Sequence, residues 1–194
     1  MTNPTLIPMA TTALRHRLAT LDDLPAIVAI YNSTVASREV TADTEPVTVA
    51  SRIGWFHEHN PARRPLWVIE AAGEVAGKGE AAGDVEGKGE PAMLGWMSYS
   101  NFYGRPAYAG TAELSIYIAE DWRGKGLGRY CLQQAIECAP HINVHTLLGF
   151  VFGHNAASLA LFARFGFATW AHLPKVARLD GIERDLIILG KRVA

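Results

Sequence analysis

Apolar positions along this chain fall into two spacings, one of period two and one of helical period, and the change from one to the other divides the sequence into elements. Residues 14–18 read as a short strand. Thr20-Leu21-Asp22-Asp23 then forms a capping-box pattern, Thr20 accepting from the first turn and Asp23 reaching back, ahead of a helical stripe of Leu24, Ile27, Val28, Ile30 and Tyr31. Thr48 caps a second helix in which Val49, Ile53 and Phe56 recur at helical spacing, and Asn60-Pro61 ends it. Residues 66–70 and 94–101 read as strands. Residues 113–119 alternate, so Glu113, Ser115 and Tyr117 share one side and Leu114, Ile116 and Ile118 the other. Residues 127–139 return to helical period, and the unbroken apolar run 146–152 predicts a central buried strand. Asn155 caps a helix over 156–165 that Gly166 ends, and 167–176 with 184–190 read as a closing strand pair around a turn at Asp180-Gly181.

Composition narrows this picture. A chain of 194 residues, 49% of them hydrophobic, can bury one substantial core, so we expect a leader over 1–12 and a single domain over 13–194. A net charge of -1 gives no electrostatic reason to expect nucleic acid or an anionic membrane as partner. Cys131 and Cys138 share a helix face that would hold them too far apart for a bridge, which suits a reducing, cytoplasmic setting. Residues 1–12 show no basic start followed by an apolar run, so no signal peptide is read there. Histidines 57 and 59 point to different sides of a helix and 141 and 145 straddle a proline-containing helix end, so no metal site is expected. Residues 71–80 are repeated as 81–90 with only the fourth and sixth positions changed; a Gly, Glu and Lys-rich insertion of this kind reads as a flexible or ribbon-like extension.

Candidate chemistry gathers at Trp122-Arg123-Gly124-Lys125-Gly126-Leu127-Gly128, between an alternating strand and a helix. Glycines allow a tight turn and leave N–H groups bare, and the first helical turn adds unpaired donors and a positive dipole end. Arg123 and Lys125 add charge where phosphate oxygens would accept. A nucleotide P-loop would close with Gly-Lys-Ser or Gly-Lys-Thr, whereas Arg129 and Tyr130 follow Gly128 here. A dinucleotide fingerprint would follow the first strand of a repeated strand-helix unit, which this order of elements lacks. A surface turn before a helix is the plain alternative for these residues alone.

The spacing Arg123-x-x-Gly126-x-Gly128, with Asn155-Ala156-Ala157-Ser158 leading to Phe165-Gly166-Phe167, resembles the GCN5-related N-acetyltransferases. Ile30-Tyr31-Asn32, Thr44-Glu45-Pro46, Trp55-Phe56, Arg105-Pro106-Ala107-Tyr108 and Glu113-x-Ser115-x-Tyr117 bring it nearest to the phosphinothricin and amino-acid acetyltransferase branch. The resemblance runs from about Leu14 to Leu189. It implies an α/β (α+β) fold with a mixed, mostly antiparallel sheet, helices on both faces and a splayed strand pair that holds acetyl-CoA. It also implies a cytoplasmic homodimer acting on a small-molecule amine, with no metal.

Residue by residue, the resemblance implies Glu113 as general base for the acceptor ammonium. Acetyl-CoA would be held by Ile116, Tyr117, Ile118, the loop Arg123, Gly124, Lys125, Gly126, Leu127 and Gly128, and by Asn155 and Ser158. Arg105 would clamp an acceptor carboxylate, with Tyr31, Glu45 and Tyr108 lining the same pocket. Two positions depart from the branch: Phe162, where a tyrosine or histidine would protonate the leaving thiolate, and Leu114, where histidine usually stands beside the base. A protein N-terminal or lysine acetyltransferase and a non-catalytic acyl-CoA-binding module are the alternatives. The first would want an open groove; the second would bind without turnover.

Overall fold

In the computed structural model, which describes residues 13–72 and 92–193, all seven strands join one sheet in the order β1-β2-β3-β4-β5-β7-β6. The strands are β1 (Leu14–Leu18), β2 (Leu66–Ala71), β3 (Met93–Asn101), β4 (Thr111–Ile118), β5 (Thr146–Phe152), β6 (Ala168–Leu179) and β7 (Ile182–Arg192). The helices are α1 (Leu24–Val35), α2 (Val49–His57), α3 (Leu127–Cys138) and α4 (Ala156–Arg164). Every neighbouring pair is antiparallel except β4 and β5. This is the mixed, mostly antiparallel α/β sheet expected. The leader and nearly all of the duplicated insertion lie outside the described residues, and among those described no helix is long and apolar enough to cross a membrane.

Period-two alternation places a core on each face. On one side Leu66, Val68 and Trp96 meet the buried stripe of α1, Leu24, Ile27, Val28 and Ile30. On the other, Ile69, Met97, Tyr99, Leu114 and Leu147 pack under Leu127, Cys131, Leu132 and Ala135 of α3. Single hydrogen bonds set each helix against its strand: Trp96 Nε1 donates to the Ile27 carbonyl at 3.1 Å, and Tyr99 Oη to the Ala135 carbonyl at 2.9 Å. The capping features lie where the sequence puts them. Asp23 accepts from the Thr20 amide at 2.7 Å, although residues 21–23 form a 3-10 turn before α1 proper. Thr48 accepts from Ser51 N at 3.2 Å, and Asn155 from Ser158 N at 3.0 Å.

One stripe is corrected. Val49 and Ile53 of α2 are exposed at 37% and 41%, while Trp55 and Phe56 face the core. α2 packs chiefly against α1, and of its apolar residues Trp55 and Phe56, in its C-terminal half, reach the core. β6 and β7 also run longer than expected, up to the turn itself, because Asp180 and Gly181 both take positive φ (49° and 81°), the conformation that a tight two-residue hairpin needs.

Gly149 in β5 lies directly under a ring: a Cβ there would stand 2.6 Å from Phe162 Cε1. Gly149→Ala is therefore expected to lower stability by about 1–3 kcal/mol through overpacking, read as a drop in the urea midpoint with the far-ultraviolet spectrum retained.

Candidate active site

β4 and β5 pair only over Thr111–Glu113 against Thr146–Leu148. Beyond that point each strand follows its other neighbour, β4 staying with β3 as far as Ile118 opposite Gly95, and β5 with β7 as far as Phe152 opposite Leu186. The strands splay, and a cleft of about 500 Å³ opens between them, lined by residues 113–118 of β4 and 150–152 of β5. Ala119 N donates to Leu94 O at 2.9 Å, which fixes the phase of the β3–β4 ladder. By alternation the amides of Tyr117 and Ser115 turn toward β3, and those of Ile116 and Ile118 into the cleft.

The glycine loop meets this cleft at Gly128. Gly124 (φ 72°) and Gly126 (φ 90°, the residue capping α3) take left-handed conformations with open space where a side chain would project. No backbone carbonyl among the described residues accepts from the amides of residues 124–128. Five N–H groups at the positive end of a 12-residue helix are thus unclaimed. Gly128 also touches the cleft; a Cβ there would meet Leu161 Cδ2 at 2.8 Å, so its smallness lets α3 and α4 approach. Lys125 Nζ lies 4.9 Å over the Trp122 ring, and Arg123 Nε donates to Ile118 O at 3.3 Å. Asn155 is buried and engaged on both sides: Oδ1 caps α4, and Nδ2 donates to Glu39 O at 3.1 Å, which pins the segment 39–42 over the cleft. Ser158 lines the same wall.

On the opposite face a smaller cavity of about 220 Å³ lies between α1, α2 and the sheet. Four of its eleven lining residues are aromatic, Tyr31, Trp55, Trp96 and Tyr117. Trp96 stacks on Tyr117 at 4.4 Å, Tyr31 tilts against Tyr117 at 5.0 Å, and Trp55 meets Trp96 edge-on. Three residues line both cavities, Glu113, Ser115 and Tyr117, the alternating side of β4. Each cavity opens onto the same short stretch of strand.

Glu113 carries the charge at that junction. Burial raises its carboxyl above the ordinary glutamate range. A carboxylate held this way accepts a proton more readily than a solvated one. Burial likewise pushes the Tyr117 phenol up, keeping it protonated at neutral pH. Phe162 is buried edge-on against Phe167 at 4.9 Å and has no proton to give. Leu114 is buried in the core beneath α3, not beside the carboxylate.

Two expected acceptor residues are elsewhere. Arg105 and Tyr108 line a separate cavity of about 450 Å³, with no residue in common with the one at Glu113. Within one chain Arg105, expected to clamp an acceptor carboxylate, does not line the cavity that Glu113 lines. The buried Arg64 guanidinium holds the end of the loop after β3, donating to Ala109 O (2.8 Å) and Thr111 O (3.1 Å). Glu45 is exposed and lines neither cavity at Glu113, whereas Tyr31 does line the aromatic one. Sequence reasoning missed Arg52, Asp43, Trp55, Trp96 and Ser100. Arg52 and Trp55, three apart on α2, share a face, which was a usable signal; nothing in the spacing tied that face to Glu113.

Comparison with known proteins agrees with this geometry. Residues 27–167 match the model of the Acetyltransferase (GNAT) family. The chain is 49% identical over 179 residues to the Bacillus subtilis protein named "Putative phosphinothricin acetyltransferase YwnH", covering 92% of this chain and 98% of that protein. It is 34% identical over 174 residues to the L-methionine sulfoximine/L-methionine sulfone acetyltransferase of Pseudomonas paraeruginosa, covering 89% and 91%. Salmonella typhimurium yncA, solved with its cofactor acetyl-CoA, superposes with a TM-score of 0.77 at 25% identity over 94% of this chain and 95% of that one.

Because the Glu113 carboxyl titrates higher when folded than when unfolded, its ionised form destabilises the fold, and stability is lost as pH rises between the two values. Glu113→Gln is expected to melt at or above the wild-type temperature near pH 7, with the difference shrinking as pH falls to about 5; differential scanning calorimetry across that range reads it.

Proposed function

The chain belongs to the acetyltransferase (GNAT) family and is an N-acetyltransferase; on that premise we propose that it moves the acetyl group of acetyl-CoA to the amine of a small amino acid or analogue of the phosphinothricin, methionine sulfoximine or methionine sulfone type. The observation that carries this reading is the meeting of two cavities, one of about 500 Å³ in the strand splay and one of about 220 Å³ beside α1 and α2, at Glu113, Ser115 and Tyr117. A pocket of only about 220 Å³ suits a small amine better than a protein segment, which would want an extended groove.

The residues present fit a pyrophosphate-bearing thioester. The unclaimed amides of 124–128 are a donor set for phosphate oxygens, and the glycines leave room for close approach. When bound, acetyl-CoA supplies an activated acyl carbon. In this reading the amides of Ile116 and Ile118 face the oxygen that gains charge as that carbon is attacked. Glu113 takes the proton from the acceptor ammonium, directly or through one water, and Tyr31 and Tyr117 hold the amine's apolar portion against the aromatic wall. Asn155 acts through the segment 39–42, and Ser158 lines the wall beside it. With Phe162 unable to donate, the departing thiol takes its proton from solvent; an ordinary thiol pKa of about 8.5 makes this an easy step.

The proposal includes one domain over 13–194, a cytoplasmic setting and a homodimer. Both cysteines are free. β6 is an edge strand with Trp170 and Leu173 exposed, apolar surface that a second copy would cover.

Thiol release from acetyl-CoA tests the reaction, with a panel of amino acids and analogues as acceptors. Glu113→Gln is expected to lower kcat at least about 100-fold while binding acetyl-CoA normally by calorimetry, and the acid limb of the wild-type kcat/KM profile should fall above the ordinary glutamate pKa. Gly126→Ala, strained at φ 90°, is expected to raise the KM for acetyl-CoA about tenfold with the acceptor KM unchanged. Coenzyme binding without turnover on any amine would instead favour an acyl-CoA-binding module.

A further inference from the structure

Arg52 and Glu113 are the charged residues that line the aromatic cavity, and they are opposite in sign. Arg52 projects from the first half of α2, three residues before Trp55, which lines the cavity with it. Its guanidinium is fixed from two sides. One NH2 donates to Asp43 Oδ2 at 2.8 Å, and the group lies 4.9 Å over the Tyr31 ring. Asp43 Oδ2 also accepts from the Tyr31 hydroxyl, so a single carboxylate oxygen ties the arginine to the wall against which it stacks. A guanidinium has five N–H donors, and among the described residues the remaining donors of Arg52 meet no acceptor. With 28% of the side chain accessible, those donors have access to solvent.

We infer that Arg52 is the side chain that receives the oxygen-rich group of the acceptor, while Asp43 positions it. This rests on the reading of the site as an amino-acid-type N-acetyltransferase. A planar fork pairs with two oxygens at once, the arrangement offered by a carboxylate and approximated by a sulfone, sulfoximine or phosphinate. An acceptor bound this way presents its ammonium toward Glu113 and its oxygens toward Arg52, and the aromatic rings cover what lies between.

The test compares wild type, Arg52→Ala, Arg52→Lys and Asp43→Asn on three acceptors: methionine sulfone, methionine, and the decarboxylated amine of methionine sulfone. Arg52→Ala is expected to raise KM for methionine sulfone at least about tenfold, with kcat within about threefold and the acetyl-CoA KM unchanged. Arg52→Lys should recover part of the loss, and Asp43→Asn should fall between wild type and Arg52→Ala. If the fork holds the α-carboxylate, the decarboxylated amine is insensitive to Arg52→Ala; if it holds the sulfone oxygens, methionine is the insensitive acceptor. Either pattern supports the assignment. An equal loss on all three acceptors, or none on any, overturns it. Calorimetric binding of methionine sulfone to the CoA-loaded protein separates this inference from the reaction itself. Wild-type binding weakened by Arg52→Ala supports the clamp even without turnover, binding unaffected by the substitution overturns it, and absence of wild-type binding overturns both.

Discussion

The loss of pairing between β4 and β5 is the constraint on which the site depends. Two strands that stayed in register would satisfy each other's amides and leave no volume between them. Here three residue pairs hold the strands together at one end, and their outer neighbours then draw them apart. A buried amide without a partner costs free energy, so strands do not splay unless something stabilises each half separately. β3 does so for β4 along its whole length, and β7 does so for β5. The unpaired amides of Ile116 and Ile118 thereby become donors facing a cleft, rigidly held because the other edge of their strand is fully laddered.

Alternation along β4 then distributes the chemistry. Leu114, Ile116 and Ile118 turn into the core beneath α3, anchoring the strand, while Glu113, Ser115 and Tyr117 turn toward α1 and α2. A strand is thin, so residues on one of its sides can border a cavity on that face and also the gap at its edge. That is how three side chains come to line both cavities. The same thinness places the burial-raised Glu113 carboxyl within the small aromatic pocket and at the mouth of the long cleft. The roof over the cleft is held by hydrogen bonds to backbone: Asn155 to the Glu39 carbonyl, and His154 Nε2 to the Arg38 carbonyl at 2.8 Å.

Much of this was readable before any coordinates. Strand and helix placement followed from periodicity because nearly every element has one face against a large core, and burial on one side is what writes a period into a sequence. β5 was legible as a central strand for the complementary reason, being covered on both faces. α2 was misread because propensity and spacing were satisfied in an element with too little core beneath it. The glycine loop, Glu113 and Asn155 were legible as candidates because the family resemblance falls on them, and the tight turn, alternating strand and helix cap that hold them are written in local sequence.

Local spacing therefore determined the elements, the glycine turn before α3 and the side of β4 that carries the carboxylate, since each depends on residues within a few positions of one another. Tertiary structure alone decided the rest. The splay exists only because β3 and β7, distant in sequence, claim the two strands. Arg64 holds the loop before β4 through hydrogen bonds to Ala109 and Thr111, which span more of the chain than any motif does. The aromatic cavity joins Tyr31, Arg52, Trp96 and Glu113 from four elements. No period or spacing links those residues, because contacts between separate elements are set by how the chain packs and leave no regular interval along it.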